Sequence, residues 1–151
     1  MFGDRAASQD NKVNGLSTKF EEKEEKIQQI IAKLIEESAR GTPIVVEGKK
    51  DELALQELGV TGRILTVKTG GKSFLQAIAE IELLGVSEVI LLLDFDRRGK
   101  EGTAHLRQNL ERTKITVNTR FWRDLQALVG REIDAIESLT SFLDTIHEKV
   151  S

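Results

Sequence analysis

Acidic side chains follow two apolar segments of this sequence, and they are the residues best suited to chemistry. Glu47 comes directly after Ile44–Val46, and Asp94 and Asp96 come directly after Val89–Leu93. Residues two positions apart on an extended segment point the same way, so Asp94 and Asp96 can present two carboxylates to one point. Carboxylates held that close repel each other, and a cation between them relieves the repulsion. The spacing therefore indicates an oxygen-ligand cation site.

Each acidic motif also has a purely structural interpretation. Glu47 could cap the helix that follows it or pair with Lys49. Asp94 and Asp96 could form an acidic turn that caps the next helix. The residues alone leave these alternatives open, and they become less attractive only when both motifs are considered together.

The composition limits which metals such a site could bind. The chain of 151 residues has no cysteine and two histidines. Thiolate sites and multi-histidine zinc sites are therefore excluded, which favours Mg²⁺, Mn²⁺ or Ca²⁺. Without cysteines or the apolar stretch of a secretory signal, we expect a cytoplasmic protein. No apolar run approaches the roughly 20 residues that cross a bilayer, so we expect no membrane contact.

The apolar pattern predicts the elements that position the carboxylates. Short apolar segments alternate with segments of helical periodicity, which predicts about four parallel strands with helices on both faces. The carboxyl ends of parallel strands meet at one edge of a sheet, where ligands bind. We expect strands at 44–46, 64–67, 89–93 and 115–119, and helices at 50–58, 73–84 and 103–112.

The length suits a single domain. We expect a domain at 16–151, with a core at 44–119 and extra helices at about 18–39 and 124–149; Asp134 is the expected cap of the last helix. Residues 1–15 are polar and aperiodic, which indicates a disordered tail or a remnant of cloning. The apolar face of residues 20–35 could lie on the sheet or pair with another copy, so the oligomeric state stays open.

A glutamate–glycine pair after one strand and an Asp-x-Asp-x-x-Gly motif two strands later resemble the Toprim family. The segments Val45–Lys49 and Leu92–Gly99 carry the resemblance. It implies a Rossmann-like Toprim fold that binds Mg²⁺, for which Mn²⁺ can substitute, and it implies phosphodiester chemistry on nucleic acid. By position, the catalytic, metal-binding carboxylates would be Glu47, Asp94 and Asp96, and the motif glycines would be Gly48 and Gly99.

A basic segment adjoins the second motif. Residues 97–123 contain eight basic and two acidic residues, a net charge of +6, whereas the whole chain carries −3. Such a local excess favours contact with a polyanion. The expected phosphate-binding residues are Lys49, Lys72, Arg97, Arg98 and Lys100. The loop that holds Lys72 is not a P-loop, because Thr66 stands where that motif needs glycine. Trp122 could stack on a base, but a core position is the commoner fate of a lone tryptophan.

The resemblance suggests several functions. Some of them are excluded because this sequence lacks residues that the corresponding family members need. The chain has no tyrosine, so it lacks the nucleophile of the family's topoisomerases, and it lacks the zinc module of the primases. It most resembles the small stand-alone Toprim proteins of archaea and bacteria, which are related to ribonuclease M5 and to the Toprim domain of primases. We expect a Mg²⁺-dependent nuclease, with structured RNA as a candidate substrate.

Three alternatives remain. One is a non-catalytic assembly module on nucleic acid of the RecR-like kind. Another is a catalytic subunit that needs a protein partner. The third is a receiver-like switch, which would need a lysine after a later strand; only arginines follow Thr119 there.

Overall fold

The computed structural model describes residues 11–68, 71 and 73–150. The described residues form four strands and six α-helices in alternation. The strands are β1 (Ile44–Val46), β2 (Ile64–Thr66), β3 (Glu88–Leu92) and β4 (Thr116–Asn118). The helices are α1 (Asn11–Ala39), α2 (Lys49–Leu58), α3 (Phe74–Leu83), α4 (Arg97–Arg112), α5 (Arg120–Val129) and α6 (Leu139–Val150), with a 3₁₀ turn at Ile136–Ser138.

All strand pairs of the sheet are parallel, in the order β2-β1-β3-β4. This confirms the predicted α/β class with about four parallel strands and added terminal helices. Val46 is level with Thr66 on one side and with Leu92 on the other. The carboxyl ends of β1, β2 and β3 therefore lie side by side, and the residues that follow them share one edge of the sheet.

Strand side chains alternate between two hydrophobic cores, one on each face. Ile44, Val46, Ile90 and Leu92 join the core beneath α1, α2, α5 and α6. Val45, Val89 and Leu91 join the core beneath α3 and α4. Because both faces are covered, the strands are apolar throughout rather than alternating in polarity.

The terminal helices pack against each other and against the first of these cores. Ile27 and Leu34 of α1 are almost fully buried in it, so this apolar face lies on the domain's own core. Lys23 of α1 lies 2.9 Å from Glu132. Lys149 of α6 lies 5.6 Å from the centre of the Phe20 ring. Among the described residues, no helix is long and apolar enough to cross a membrane.

Several predicted boundaries were wrong. Helix α1 begins at Asn11 rather than near residue 18; residues 1–10, the rest of the predicted tail, lie outside the described part of the chain. Helix α4 begins at Arg97, well before the predicted start at residue 103, because Asp96 caps it. Asp134 caps no helix: the 3₁₀ turn begins after Ala135, and α6 begins only at Leu139.

Candidate active site

Glu47 is a buried carboxylate at the end of β1. The residue is 6% exposed, and neither structural alternative applies to it. Helix α2 is capped at Gly48, whose N–H is accepted by Asp51, and Lys49 pairs with Glu52 at 3.4 Å. The counter-charge of Glu47 is Lys68, whose Nζ lies 2.7 Å from Oε2.

Lys68 is a site residue that sequence reasoning missed. Its backbone N–H donates to the carbonyl of Glu47 at 3.0 Å, so pairing of β1 and β2 fixes it beside the carboxylate. Within the described part of the chain, Glu47 Oε2 makes no well-directed hydrogen bond. The contact with Lys68 is therefore mainly Coulombic, since an ion pair needs no particular angle. Glu47 Oε2 therefore has Lys68 as its counter-charge but no directed hydrogen-bond donor.

Asp51 is a second residue that the sequence did not reveal. It is 5% exposed, and its oxygens accept N–H groups of Gly48 at 3.1 Å and Glu137 at 2.9 Å. Burial raises the pKa of Asp51; the two N–H groups oppose this shift, and the charges of Glu137 and Glu47 add to it. The only sequence signal was its position four residues after Glu47, which also suits an ordinary first turn of a helix.

Asp94 is the electrostatic centre of the site. Burial, and after it the negative charges of Glu47, Asp51 and Asp96, raise its pKa from 3.8 to about 7, while Lys68 acts in the opposite direction. Four carboxylates and one ammonium group therefore interact at the carboxyl edge of β1 and β3. Strongly shifted carboxyl groups of this kind are concentrated at functional sites.

Asp96 combines two roles. Its Oδ1 accepts the N–H of Gly99 at 2.8 Å and so caps α4, which is the structural alternative that the sequence offered. The residue is nonetheless exposed. Gly99 is needed for packing: a Cβ there would lie 1.9 Å from the carbonyl oxygen of Asp94. The glycine lets α4 start directly over the Asp94 backbone.

The donor set suits a hard divalent cation in its chemistry. It consists of carboxylate oxygens, which Mg²⁺ prefers, and a buried oxygen of Glu47 lacks a directed bond. A Cβ at Gly48 would meet nothing within 4 Å, so the turn beside Glu47 leaves room for a ligand. Among the described residues, however, no three acidic or histidine side chains already stand close enough to hold a metal ion. The carboxylates are neighbours, but they do not form a closed cage.

The predicted phosphate-binding residues have different surroundings. Lys49 and Arg97 start α2 and α4 and pair within their own helices, with Glu52 and Glu101. Arg98 and Lys100 are exposed in the first turn of α4. Lys72 lies outside the described residues.

Trp122 is a core residue, as the sequence favoured. It is 9% exposed, and its Nε1 donates to the carbonyl of Leu93 at 2.8 Å. Phe95 is buried beside it, with ring centres 6.4 Å apart. These contacts anchor the backbone on both sides of Asp94. A cavity of about 760 Å³ between α1 and α5 contains none of the four carboxylates, so shape alone would not have located this site.

Comparison with known proteins agrees with this geometry. Residues 41–119 match the family model of the Toprim domain. A UPF0292 protein of Methanocaldococcus jannaschii is 36% identical over 121 residues, which cover 80% of this chain and 91% of that protein. A UPF0292 protein of Thermococcus sibiricus is 34% identical and covers 80% of this chain and 90% of its own length.

A solved structure gives the same fold. A protein from Aquifex aeolicus superposes with a TM-score of 0.59 at 25% identity and covers 73% of this chain and 94% of its own. Toprim domains generally bind Mg²⁺ and serve metal-dependent functions on nucleic acid. Fold, acidic edge and sequence likeness therefore agree: the chain belongs to the Toprim-domain family, alongside the archaeal UPF0292 proteins.

Proposed function

We propose that this chain is a Mg²⁺-dependent nuclease, with structured RNA as the first candidate substrate. The observation that carries the proposal is the group of four carboxylates at one sheet edge, where burial and the neighbouring negative charges raise the pKa of Asp94 to about 7. Such a group is costly for folding. Binding a cation and an attacked phosphate would explain its presence.

Three of the four carboxylates have a role that suits their surroundings. Asp94 and Asp96 would hold the cation, with Glu47 beside them as a ligand or as the group that moves a proton. Mg²⁺, when bound, would neutralise phosphate oxygens and stabilise charge at the attacked phosphorus. Glu47 is held by burial and by Lys68, so it is oriented before any substrate arrives. Lys68 is 46% exposed and can also face a phosphate.

A non-catalytic nucleic-acid-binding module is the second candidate. It is favoured by one observation: within the described ranges, no three potential ligands already form a metal cage. In that case the carboxylates and Lys68 would serve assembly on nucleic acid, and Mg²⁺ would change binding without any bond being broken.

Cleavage and binding assays with the same RNA separate these candidates. A labelled RNA hairpin is incubated with wild-type protein in Mg²⁺, Mn²⁺ or EDTA, and binding is followed by fluorescence anisotropy. We expect cleavage that requires the metal. Glu47→Gln should lower it about 100-fold or more and leave binding in place, because only the proton-accepting group is changed.

Glu57→Gln is the matched control, since it makes the same change at an exposed position of α2. Cleavage by Glu47→Gln at the rate of Glu57→Gln would refute the assigned role of Glu47. Binding without cleavage of any hairpin or single strand, in either metal, would favour the binding module.

A further inference from the structure

A groove between α4 and α5 adjoins the carboxylates but contains none of them. It has a volume of about 360 Å³, and its lining includes Lys100, Arg107 and Glu111 of α4 and Thr119, Trp122 and Arg123 at the start of α5. We call it the α4–α5 groove. Its lining includes basic residues from the segment that the sequence marked as positively charged.

The α4–α5 groove begins at the same strand end as the site. Its floor includes Trp122, whose indole N–H is bonded to the carbonyl of Leu93, the residue before Asp94. On its α4 side, the backbone N–H of Lys100 donates to the carbonyl of Asp96 at 3.0 Å. A chain lying in the groove would therefore reach the carboxylates without crossing another element.

The charge of the α4–α5 groove is positive and partly uncompensated. Arg107 pairs with Glu111 at 3.2 Å, so these two residues largely neutralise each other. Lys100 and Arg123 are exposed, and neither forms an ion pair with any residue in the described part of the chain. The α4–α5 groove therefore has two solvent-facing cations without an ion-pair partner among the described residues, one on α4 and one on α5.

A threonine at the N-terminal end of α5 also lines the α4–α5 groove. Thr119 is 6% exposed and makes no capping bond to α5. Nor does its side chain bond to any other residue that the structure describes. Its hydroxyl oxygen is not among the enclosed, unpartnered oxygens of the described residues, so it is open to the groove and can donate to an oxygen acceptor there.

We propose that the α4–α5 groove binds the phosphodiester backbone of a nucleic-acid strand, with Lys100 and Arg123 neutralising phosphates and Thr119 donating to a phosphate oxygen. The inference rests on the proposed function, because it places the strand that the carboxylates would act on. Contacts of this type hold a strand in position and do not read its bases. Binding should therefore depend strongly on salt and little on sequence.

The test measures binding of a labelled RNA hairpin in EDTA, where the proposed cleavage does not occur. Each lost phosphate contact should lower the slope of log affinity against log salt by about one. Lys100→Gln with Arg123→Gln should therefore lower it by about two. Thr119→Val should weaken binding about two- to tenfold without changing the slope, because it removes a hydrogen bond and no charge. Arg63→Gln is the control, since Arg63 is exposed at the opposite edge of the sheet.

Trp122 supplies a second readout of position. It is the only tryptophan in the chain, so its emission should change when a strand covers the groove. An anisotropy signal with unchanged Trp122 emission, or equal slopes for the double variant and Arg63→Gln, would overturn the inference but leave the proposed nuclease standing. Displacement of the RNA by poly-glutamate at equal charge would instead assign the groove to an acidic protein partner. Cleavage by Glu47→Gln is measured in a separate assay, and its result tests only the proposed nuclease function, not the α4–α5 groove.

Discussion

The buried charge of Glu47 is compensated by one neighbour, Lys68. Removing one partner of a buried pair leaves an isolated charge in a poorly solvated place. The loss is limited here because Lys68 is 46% exposed, whereas Glu47 is 8% exposed at its side chain. The two residues therefore differ in what their removal should cost.

Lys68→Met should lower the free energy of unfolding by about 1–2 kcal/mol, after allowance for solvent at the lysine. Adding Glu47→Gln to this variant should restore most of the loss, because the isolated charge is then gone. Urea unfolding of both single variants and the double variant measures the coupling.

Lys49→Met is the control for this cycle, because it breaks the exposed pair with Glu52 at 3.4 Å. It should cost less than about 0.5 kcal/mol. If Lys68→Met were no more destabilising than Lys49→Met, the Glu47 pair would contribute nothing special to the fold.

The raised pKa of Asp94 should make the free energy of unfolding fall as the pH rises. Its carboxyl has a pKa of about 7 in the fold, against 3.8 ordinarily, so between these values the folded chain keeps a proton that the unfolded chain has lost. The stabilisation is complete below about pH 4 and is lost as pH rises through about 7. Asp94→Asn removes this dependence. Above pH 7 it should raise the Tm by about 2–4 °C, which corresponds to about 1 kcal/mol after discounting for partial exposure.

Thermal unfolding at acidic and alkaline pH tests the sign. Asp144→Asn is the control, because it makes the same change at an exposed position of α6. Added Mg²⁺ should stabilise the wild type more than Asp94→Asn, since binding to the folded state raises stability. An advantage of Asp94→Asn that is equal at both pH values would argue against a shifted carboxyl group.

At the level of elements, the turn from β3 into α4 sets the position of Asp94 and Asp96. Gly99→Ala would place a methyl group 1.9 Å from the Asp94 carbonyl oxygen, so the helix or the site must shift. We expect a loss of about 2–3 kcal/mol. Gly48→Ala meets nothing within 4 Å, and its cost should stay within about 1 kcal/mol.

Urea unfolding compares the two glycine variants directly. Gly48→Ala should keep the fold but lower Mg²⁺-dependent cleavage, if a ligand uses the open space beside Glu47. Equal stability of both variants would mean that the close approach at Gly99 can relax without cost.

The same turn shows how far the sequence could predict an element. Asp-x-Asp-x-x-Gly correctly marked the end of a strand, and the apolar run before it gave β3 to within a residue. The helix was predicted to begin only at residue 103, but Gly99 lies in the first turn of α4, where the helix passes over Asp94. Glycine usually breaks a helix, and the tertiary contact that reverses this preference is not visible in the sequence.

At the scale of the whole molecule, long-range contacts decide what the sequence could not reveal. The order of apolar runs was enough to predict a parallel sheet and the edge where Glu47, Asp94 and Asp96 meet. Lys68 and Asp51 were missed because their partners depend on strand pairing and on folding of the C-terminal segment. Asp51 bonds to Glu137, which is 86 positions away in the chain.

Asp51 joins the site to the layer formed by the terminal helices. One of its oxygens holds the start of α2 through Gly48, and the other holds the 3₁₀ turn before α6 through Glu137. Asp51→Asn replaces one acceptor with a donor, so one of these N–H groups must lose its partner. We expect a loss of about 1–3 kcal/mol and faster amide hydrogen exchange in α6. Exchange in α3, on the opposite face of the sheet, should not change.

Asp144→Asn is the control here as well, because it alters α6 itself without touching this bridge. If amide hydrogen exchange in α6 became equally faster in Asp51→Asn and Asp144→Asn, the effect would come from fraying of α6 itself. If Asp51→Asn changed amide hydrogen exchange in α2 but not in α6, Asp51 would act only as a cap of α2. A rise confined to Asp51→Asn would show that the carboxylate edge and the C-terminal helix unfold as one unit, so that the geometry of Glu47 depends on a segment far along the chain.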